Sequence, residues 1–314
     1  MKLIIQIPCL NEEESLPKTL AALPKHIDGI DIIETLVIND GSTDKTVEVA
    51  KQNGVTHIVS FTKRKGLARA FGAGLDAALK AGADIIVNTD ADGQYKGEDI
   101  PRLIRPILDR QVDIVIGNRD IDHVRQFSWI KKRLQRLGSA IVRHLAHSSI
   151  ADATTGFRAY NREAALKLNI ISEYTYTLES IIQAESKDLA IANITISTNE
   201  VKRKSRLFKS IPEYIKRSFV TIIRIYSMFN PFRLFTTIGM GLSAIGILIG
   251  CRFVFYYLIG SGSGKVQSLI LAAALLIIGF QVLIVGLLAD LISANRRLIE
   301  DALLRIKRME LDSK

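Results

Sequence analysis

Short apolar runs alternate with longer mixed segments over the first 120 residues of the chain. The runs are rich in Ile, Val and Leu, which is typical of buried strands, and they occupy residues 3–7, 34–38, 57–60, 84–87 and 112–117. The segments between them have helical character, at residues 13–23, 43–53, 67–81 and 100–109. This order predicts an α/β fold, with a mostly parallel, doubly wound sheet that is flanked by helices.

The C-terminal third of the chain has a different pattern. Residues 232–259 and 267–291 are apolar over lengths that would cross a bilayer. Formal charges are rare within them, and Arg252 and Asp290 lie toward the segment ends, where a charged side chain reaches the interface at low cost. A pair of buried core helices is the alternative. The length of both segments and their position at the end of the chain favour two transmembrane helices.

Basic residues crowd the outer flanks of these two segments, whereas the loop at residues 260–265 is short and nearly uncharged. By the positive-inside rule, we expect the loop outside the cell and both termini in the cytoplasm. The apolar core at residues 3–7 is too short for a signal peptide. We therefore expect an integral membrane protein in four parts: a cytoplasmic domain (1–205), juxtamembrane amphipathic helices (206–231), two transmembrane helices with a short external loop (232–291) and a cytoplasmic C-terminal helix (292–314).

The formal net charge of the chain is +10. Because the basic residues cluster beside the apolar segments, we expect them to bind anionic membrane lipids, at about 1 kcal/mol for each Lys or Arg near the surface. Nucleic acid is the rival partner for a basic chain, but it is not expected here, since the charge does not follow one soluble helix. The only cysteines, Cys9 and Cys251, are too few and too far apart for a disulfide framework or a thiolate metal site.

Two carboxylates, Asp90 and Asp92, directly follow the fourth predicted strand. The carboxyl ends of parallel strands form the edge at which open α/β sheets bind ligands. At this spacing both carboxylates can approach one Mg²⁺ or Mn²⁺ on a nucleotide diphosphate, and Gln94 adds a neutral oxygen. A polar turn that caps the next helix is the alternative for the isolated motif. Polar residues that follow the first, second and fifth strands favour the metal interpretation: Asn11, Glu12, Asp40 and Arg119.

Three of these motifs resemble the inverting glycosyltransferases of family 2, which use nucleotide-sugar donors on a GT-A (Rossmann-like) fold. They are Ile7-Pro8-Cys9-Leu10-Asn11-Glu12-Glu13, Val37-Ile38-Asn39-Asp40-Gly41-Ser42-Thr43-Asp44 and Asp90-Ala91-Asp92. The resemblance implies that residues 1–205 form the catalytic domain and that the metal ligands are Asp90, Asp92 and Gln94. It also implies a set of nucleotide contacts: Pro8, Leu10, Asn11, Glu12, Asp40, Ser42, Asp44, Asp90 and Ala91.

Within that family, the chain is most similar to the polyprenyl-phosphate sugar transferases, of the dolichol-phosphate mannosyltransferase-like and undecaprenyl-phosphate glucosyltransferase-like kinds. Residues 117–119, 131–139 and 152–160 carry this narrower match, together with the two apolar segments. The resemblance implies transfer of a hexose from a UDP-glucose or GDP-mannose type of donor to a polyprenyl phosphate. Gly93 departs from many relatives, which have a larger residue at this position.

The resemblance further implies that Asp152 acts with Asp92 in catalysis, at a position often proposed for the base. A phosphate monoester is largely dianionic at pH 7, since its second pKa is about 6, and it needs little deprotonation. We therefore expect Asp152 to orient the acceptor or the sugar hydroxyls more than to abstract a proton. Arg119, Arg133 and Ser139 are the candidates for clamping the lipid phosphate, because guanidinium groups match phosphate oxygens. The alternative for the basic helix at 131–139 is a solvated face.

Two more cationic residues are candidates for the donor diphosphate. Arg203 lies in the basic run 202–206, where such enzymes place a mobile loop over the diphosphate, although contact with lipid headgroups is the alternative. Lys65 precedes the helix at 67–81, whose N-terminus would attract phosphate, and an exposed lysine before a glycine turn is the alternative.

Two other functions are alternatives to sugar transfer onto a lipid phosphate. A processive polysaccharide synthase is disfavoured because two helices are too few for a channel and because the Gln-X-X-Arg-Trp signature is absent, Trp129 being the only tryptophan. A non-catalytic scaffold that binds sugar nucleotides is disfavoured by the intact Asp90, Asp92 and Asp152. Leucine and isoleucine recur at helical spacing in residues 295–314, which is weakly indicative of a homo-oligomer.

Overall fold

The computed structural model describes residues 1–119, 153–171, 176–199, 220, 223–224, 226–260 and 265–313. The chain forms two compact units, of which the first comprises Met1–Ile222 and Leu304–Lys314 and the second comprises Ile223–Leu303. The predicted basic helix at 131–139 lies outside the described residues, as does most of the predicted amphipathic segment at 206–231.

The described elements of the first unit alternate between strands and helices. The strands are β1 (Lys2–Cys9), β2 (Ile32–Asn39), β3 (His57–Ser60), β4 (Ile85–Asn88), β5 (Ile114–Arg119), β6 (Arg158–Asn161) and β7 (Ile191–Ile196). The helices are α1 (Leu16–Ala21), α2 (Thr46–Gln52), α3 (Leu67–Lys80), α4 (Ile100–Leu108), α5 (Arg162–Lys167) and α6 (Thr177–Ser186), and a 3₁₀ turn (Gly97–Asp99) precedes α4.

The strands form one sheet in the order β3-β2-β1-β4-β6-β5-β7. β1 pairs in parallel with β2 and β4, and β5 pairs in parallel with β7. β6 is antiparallel to both β4 and β5, so these two neighbours run in the same direction. The prediction of a mostly parallel sheet with flanking helices is confirmed. The antiparallel β6 was not predicted, because its four residues, Arg-Ala-Tyr-Asn, contain no apolar run.

Both faces of the sheet are buried. Ile4 and Ile86 face a core layer that includes Phe71 of α3, whereas Leu3 and Ile5 face a second layer that includes Ile104 of α4. Successive side chains of a strand point to opposite faces, so a strand that is covered on both sides is apolar at most positions. Each fully buried Ile or Leu contributes about 1.5–3 kcal/mol. This double coverage explains why the strands are continuous apolar runs.

The described residues of the second unit include two helices that are long and apolar enough to cross a membrane, α7 (Pro231–Leu258) and most of α8 (Val266–Asp312). The prediction of two such helices is confirmed. Their large apolar side chains are mostly exposed, whereas small residues of α8 are buried at intervals of seven: Ala272, Gly279, Gly286 and Ser293.

These small residues let the two helices approach closely. A Cβ added to Gly239 would lie 2.9 Å from the backbone oxygen of Gly279, and one added to Gly286 would lie 2.8 Å from Cβ of Phe235. Small residues in the contact between two membrane helices allow such close van der Waals packing.

The last turns of α8 belong to the first unit and pack on α3 and α5. Nζ of Lys307 lies 3.1 Å from Oδ1 of Asp76, and Nη2 of Arg308 lies 2.7 Å from both carboxylate oxygens of Glu163. Exposed ion pairs of this kind contribute about 1 kcal/mol or less each. Leu304 and Leu311 pack against the core layer of α3, which adds an apolar contribution to the contact.

Candidate active site

The loops after β1, β2 and β4 meet at the carboxyl edge of the sheet, where β5 also ends, because these four strands run in the same direction. A further loop joins β3, which is parallel to β2, to α3 at the same edge. These loops and the ends of the strands before them carry most of the residues that the sequence selects: Pro8, Leu10, Asn11, Glu12, Asp40, Ser42, Asp44, Lys65, Asp90, Ala91, Asp92, Gln94 and Arg119. The other four, Arg133, Ser139, Asp152 and Arg203, lie outside the described residues.

The loops after β1 and β2 are tied together by side-chain hydrogen bonds. Oδ1 of Asn11 accepts from the backbone N–H of Thr43 at 2.8 Å, and the N–H of Asn11 donates to Oγ of Ser42 at 2.9 Å. Asn11 has a φ of 56°, in the left-handed region that Asn tolerates better than most residues. The N–H of Glu12 donates to Oγ1 of Thr46 at 2.8 Å. The two motifs therefore form a single rigid corner.

Asp44 completes this corner. Its carboxylate accepts hydrogen bonds from Oγ1 of Thr46 at 2.5 Å, from the N–H of Thr46 at 3.0 Å and from the N–H of Glu13 at 3.1 Å. Burial raises the pKa of Asp44, but these hydrogen bonds outweigh it, and the pKa lies below its ordinary value. Asp44 is therefore ionised at neutral pH.

Asp40 follows β2, and its carboxylate lies at the N-terminal end of α3. Its buried carboxylate accepts from the N–H of Lys65 at 2.6 Å and from the N–H of Gly66 at 3.0 Å. A carboxylate is favoured there by the helix dipole and by the unpaired N–H groups. Because Asp40 takes these backbone donors, a phosphate contact at Lys65 has to come from the side chain, whose Nζ lies 4.4 Å from the ring centre of Phe61.

The loop that contains the carboxylate pair is held on three sides. Oδ1 of Asp92 accepts from the N–H of Gln94 at 3.0 Å, which closes a tight turn. Oγ1 of Thr19, on α1, donates to the backbone oxygen of Ala91 at 2.9 Å. The N–H of Asn199 donates to the backbone oxygen of Gln94 at 2.9 Å. These bonds fix the backbone from which both carboxylates project.

The electrostatics of this edge favour a cation. Burial raises the pKa of Asp90 above its ordinary value, the charges of Asp92 and Glu12 raise it further, and the Arg119 guanidinium lowers it. Burial also raises the pKa of Cys9, together with the charges of neighbouring carboxylates, so this residue is a neutral thiol. Negative charges that lie close together at low exposure are stabilised by a positive charge among them.

Arg119 is buried at the end of β5, and its Nη2 donates to Oγ1 of Thr154 at 2.9 Å. Its charge lowers the pKa of Asp90, and the ends of β4 and β5, which carry the carboxylate pair and Arg119, lie at the same edge of the sheet. The described residues contain no group of three or more His, Cys, Asp or Glu side chains that could hold a metal ion. What the chain offers there is two carboxylates, Asp90 and Asp92, and the oxygens of Gln94.

Several buried polar residues beside Asp90 were not selected from the sequence. These residues are Gln6, Asn88, Tyr95 and Tyr176, and they form a hydrogen-bonded group with the backbone of Gly156. Gln6 and Asn88 are fully buried, although both lie in otherwise apolar strands. A polar residue inside an apolar strand is the signal that could have identified them, because a buried amide requires a hydrogen-bonding partner.

Comparisons with known proteins agree with this geometry. The chain is 33% identical, over 184 residues, to undecaprenyl-phosphate mannosyltransferase of Micrococcus luteus, with 56% of this chain and 74% of that protein covered. It is 28% identical, over 208 residues, to polyprenol monophosphomannose synthase of Mycolicibacterium smegmatis, with 63% and 77% covered.

Glucosyl-3-phosphoglycerate synthase from Mycobacterium tuberculosis, solved with Mn²⁺, uridine diphosphate and glucosyl-3-phosphoglycerate, has a similar fold. The TM-score is 0.57 at 20% sequence identity, and the match covers 72% of this chain and 78% of that one.

The family assignment rests on more than half of the chain. Residues 4–168 match the family model for glycosyl transferase family 2, a range that runs from β1 through α5. It includes both loops of the rigid corner, the carboxylate pair and Arg119. The resemblance that the three sequence motifs indicate is thereby confirmed, and the chain belongs to glycosyl transferase family 2.

Proposed function

We propose that the protein transfers a hexose from a nucleoside diphosphate sugar to a polyprenyl phosphate, with inversion at the anomeric carbon. The observation that carries this proposal is the Asp90–Asp92 pair beside Arg119 at the carboxyl edge of the sheet, in a chain with two long apolar helices. The names of the Micrococcus and Mycolicibacterium relatives support a polyprenyl acceptor.

The rigid corner is the proposed site for the nucleoside. Its backbone is fixed by Asn11 and Asp44, so it needs little ordering when the nucleotide binds. Carboxylates accept hydrogen bonds from ribose hydroxyls and from base N–H groups. The proposed contacts remain those implied by the motifs: Pro8, Leu10, Asn11, Glu12, Asp40, Ser42 and Asp44, with Lys65, Asp90, Ala91 and Arg203 nearer the diphosphate.

Asp90, Asp92 and Gln94 would hold a divalent cation, Mg²⁺ or Mn²⁺. Among the described residues, none donates a hydrogen bond to the Asp90 carboxylate, which leaves its oxygens available as ligands. Two carboxylates suit an ion that takes its remaining ligands from substrate phosphates and water. When bound, the cation offsets the negative charge that the departing nucleoside diphosphate acquires.

In the proposed reaction, an oxygen of the lipid phosphate attacks the anomeric carbon. The new carbon–oxygen bond forms as the bond to the donor diphosphate breaks, and the nucleoside diphosphate leaves with that electron pair. The acceptor phosphate is largely dianionic at pH 7, since its second pKa is about 6. Asp152 is therefore proposed to orient the acceptor or the sugar, and Arg119, Arg133 and Ser139 are proposed to bind its phosphate.

The two apolar helices suggest that the lipid substrate is met at a membrane surface. We propose that both termini and the catalytic domain are cytoplasmic, since the basic residues flank the apolar segments on their outer sides. Residues 206–231 are proposed to lie in the membrane interface, where they would bring the catalytic domain close to lipid phosphates.

Membranes that contain the full-length protein test the proposal. They are incubated with radiolabelled UDP-glucose, GDP-mannose and related donors, with polyprenyl phosphate and Mg²⁺ or Mn²⁺. Label is expected in the lipid fraction with one donor class, and chelation of the cation is expected to stop its transfer. Asp92→Asn is expected to reduce transfer by roughly 100-fold or more, since even partners behind the metal ligands are worth about 10–100-fold.

Asp188→Asn is the matched control, because Asp188 is exposed in the turn after α6 and has a φ of 52°, which Asn also tolerates. This variant is expected to transfer as well as the wild type. The proposal is wrong if none of the donors labels the lipid fraction, or if Asp92→Asn retains the activity of the control.

A further inference from the structure

Gly156 lies directly against the Asp90 carboxylate. A Cβ added to Gly156 would lie 3.0 Å from Oδ1 and 3.3 Å from Oδ2 of Asp90, and 2.9 Å from the hydroxyl of Tyr176. The φ of Gly156 is outside the left-handed region, so its backbone conformation does not itself require glycine. What favours glycine is the space that the Asp90 carboxylate and the Tyr176 hydroxyl fill.

Three side chains fix both polar groups of Gly156. Its N–H donates to the hydroxyl of Tyr95 at 3.1 Å. Its backbone oxygen accepts from Nδ2 of Asn88 at 2.7 Å and from the hydroxyl of Tyr176 at 3.3 Å. Asn88 is itself oriented by Nε2 of Gln6, which donates to its Oδ1 at 3.0 Å. The position of the Gly156 Cα is thus set by hydrogen bonds on both sides.

The two tyrosine rings are held as firmly as their hydroxyl groups. Tyr95 stacks on Phe157 with 5.0 Å between ring centres, and Tyr176 stacks on Phe71 at 3.9 Å. Both tyrosines are almost completely buried. Hydrogen bonds between buried groups are strong because the local dielectric constant is low.

We propose that Gly156, fixed by Tyr95 and Tyr176, is a seat for the Asp90 carboxylate that holds it in position to bind the divalent cation. Asp90 needs such a device because the neighbouring charge of Asp92 repels it and none of the described residues donates a hydrogen bond to it. Gly156 and the two tyrosines are positioning residues, since they act through Asp90. The inference rests on the proposed metal site and not on the identity of the acceptor.

Mn²⁺ binding to the purified full-length protein in lipid nanodiscs tests the seat. The loss of the free Mn²⁺ spin-resonance signal is measured with UDP and, separately, with GDP, in the absence of sugar and lipid acceptor. Gly156→Ala places a methyl group against the carboxylate and is expected to weaken Mn²⁺ binding by about 10–100-fold. Tyr95→Phe, which removes a single hydroxyl, is expected to weaken it by about 10-fold.

Two further variants show whether weaker Mn²⁺ binding comes from the contact between the added methyl group and Asp90. Gly72→Ala is the control, because the neighbour of an added Cβ there, in the part of the chain that the structure describes, is Ile170 at the ordinary contact distance of 3.8 Å. It is expected to bind Mn²⁺ like the wild type. In Gly156→Ala with Tyr176→Phe, the clash with the hydroxyl is gone but the clash with Asp90 remains. Binding is therefore expected to stay weak, and full recovery in this double variant would overturn the proposal.

The seat is also refuted if Gly156→Ala, or Tyr95→Phe where Gly156→Ala does not fold, binds Mn²⁺ within twofold of the wild type. Failure of the proposed function gives a different result. A wild type that binds Mn²⁺ but transfers no sugar to polyprenyl phosphate refutes the acceptor and leaves the seat intact. A wild type that binds no Mn²⁺ with either nucleotide overturns both the metal site and the seat.

Discussion

Replacing Arg158 with Met is expected to destabilise the first unit strongly. The side chain of Arg158 is completely buried. Its guanidinium donates four hydrogen bonds, to the backbone oxygens of Ala153 (2.9 Å), Thr155 (2.9 Å) and Thr177 (2.8 Å) and to Oγ of Ser180 (2.7 Å). One side chain thus joins the segment before β6 to the first turn of α6.

The size of the effect follows from these bonds. Hydrogen bonds to a charged group contribute about 1.5–3 kcal/mol each, and loss of all four removes about 6–12 kcal/mol. Met also removes a charge whose burial costs several kcal/mol, so the net loss is about 3–5 kcal/mol. For a unit of this size, each kcal/mol lowers the melting temperature by about 2–4 °C, and the expected decrease is about 10 °C.

Thermal unfolding of the full-length protein in detergent, followed by intrinsic fluorescence, measures this change. Arg158→Lys keeps the charge but reaches fewer acceptors, and it is expected to fall between Arg158→Met and the wild type. Arg105→Met is the control, because the side chain of Arg105 is 66% exposed and its partner among the described residues is Asp109, at 3.2 Å. If Arg158→Met melts within about 2 °C of this control, the reasoning is refuted.

Two further predictions concern the nucleotide corner and the membrane helices. The pKa of the Asp44 carboxyl is lowered in the folded state. Its contribution to the stability of the fold is therefore present above the unfolded-state pKa near 3.8 and is lost as the pH falls through the folded-state pKa. Thr46→Val removes a hydrogen-bond donor to Asp44 and so reduces this contribution. Between about pH 6 and pH 3, the melting temperature of the variant should therefore fall less than that of the wild type. An equal pH dependence of the two proteins would contradict the prediction. The side chain in Gly279→Leu would collide with Ser243 and is expected to lower the stability of the helix pair by about 1–3 kcal/mol. This loss is measured as faster proteolysis of the protein in nanodiscs. Gly241→Leu is the control and should resemble the wild type, because no described atom lies within 4 Å of a Cβ added there.

The order of strands and helices and the placement of the carboxylates could be predicted from local signals. Runs such as residues 3–5 and 85–87 are apolar at successive positions, because their strands are covered on both faces. Parallel strands bring their carboxyl ends to one edge, so Asn11, Asp40 and Asp90 could be placed together before any contact was known. The predicted site residues beyond position 119, among them Asp152 and Arg203, lie outside the described residues.

The insertion of β6 between β4 and β5 could not be predicted, because it depends on pairing over a long sequence separation. Residues 158–161 pair with β4 about 70 positions away, and their sequence has neither an apolar run nor a regular alternation. The same strand carries Arg158, and Gly156 lies just before it. The surroundings of Asp90 therefore could not be predicted, because residues in and just before β6 provide part of them.

The sequence by itself determined the family, the two apolar helices and the loops that carry the chemistry, since hydrophobic pattern, charge and short motifs are properties of neighbouring residues. Only the tertiary structure decided how the Asp90 carboxylate is surrounded. Gln6, Asn88, Tyr95, Gly156 and Tyr176 come from separate segments, and their hydrogen bonds exist only once the sheet has formed. A buried polar group must find its partner in three dimensions, and no local pattern specifies which segment will provide it.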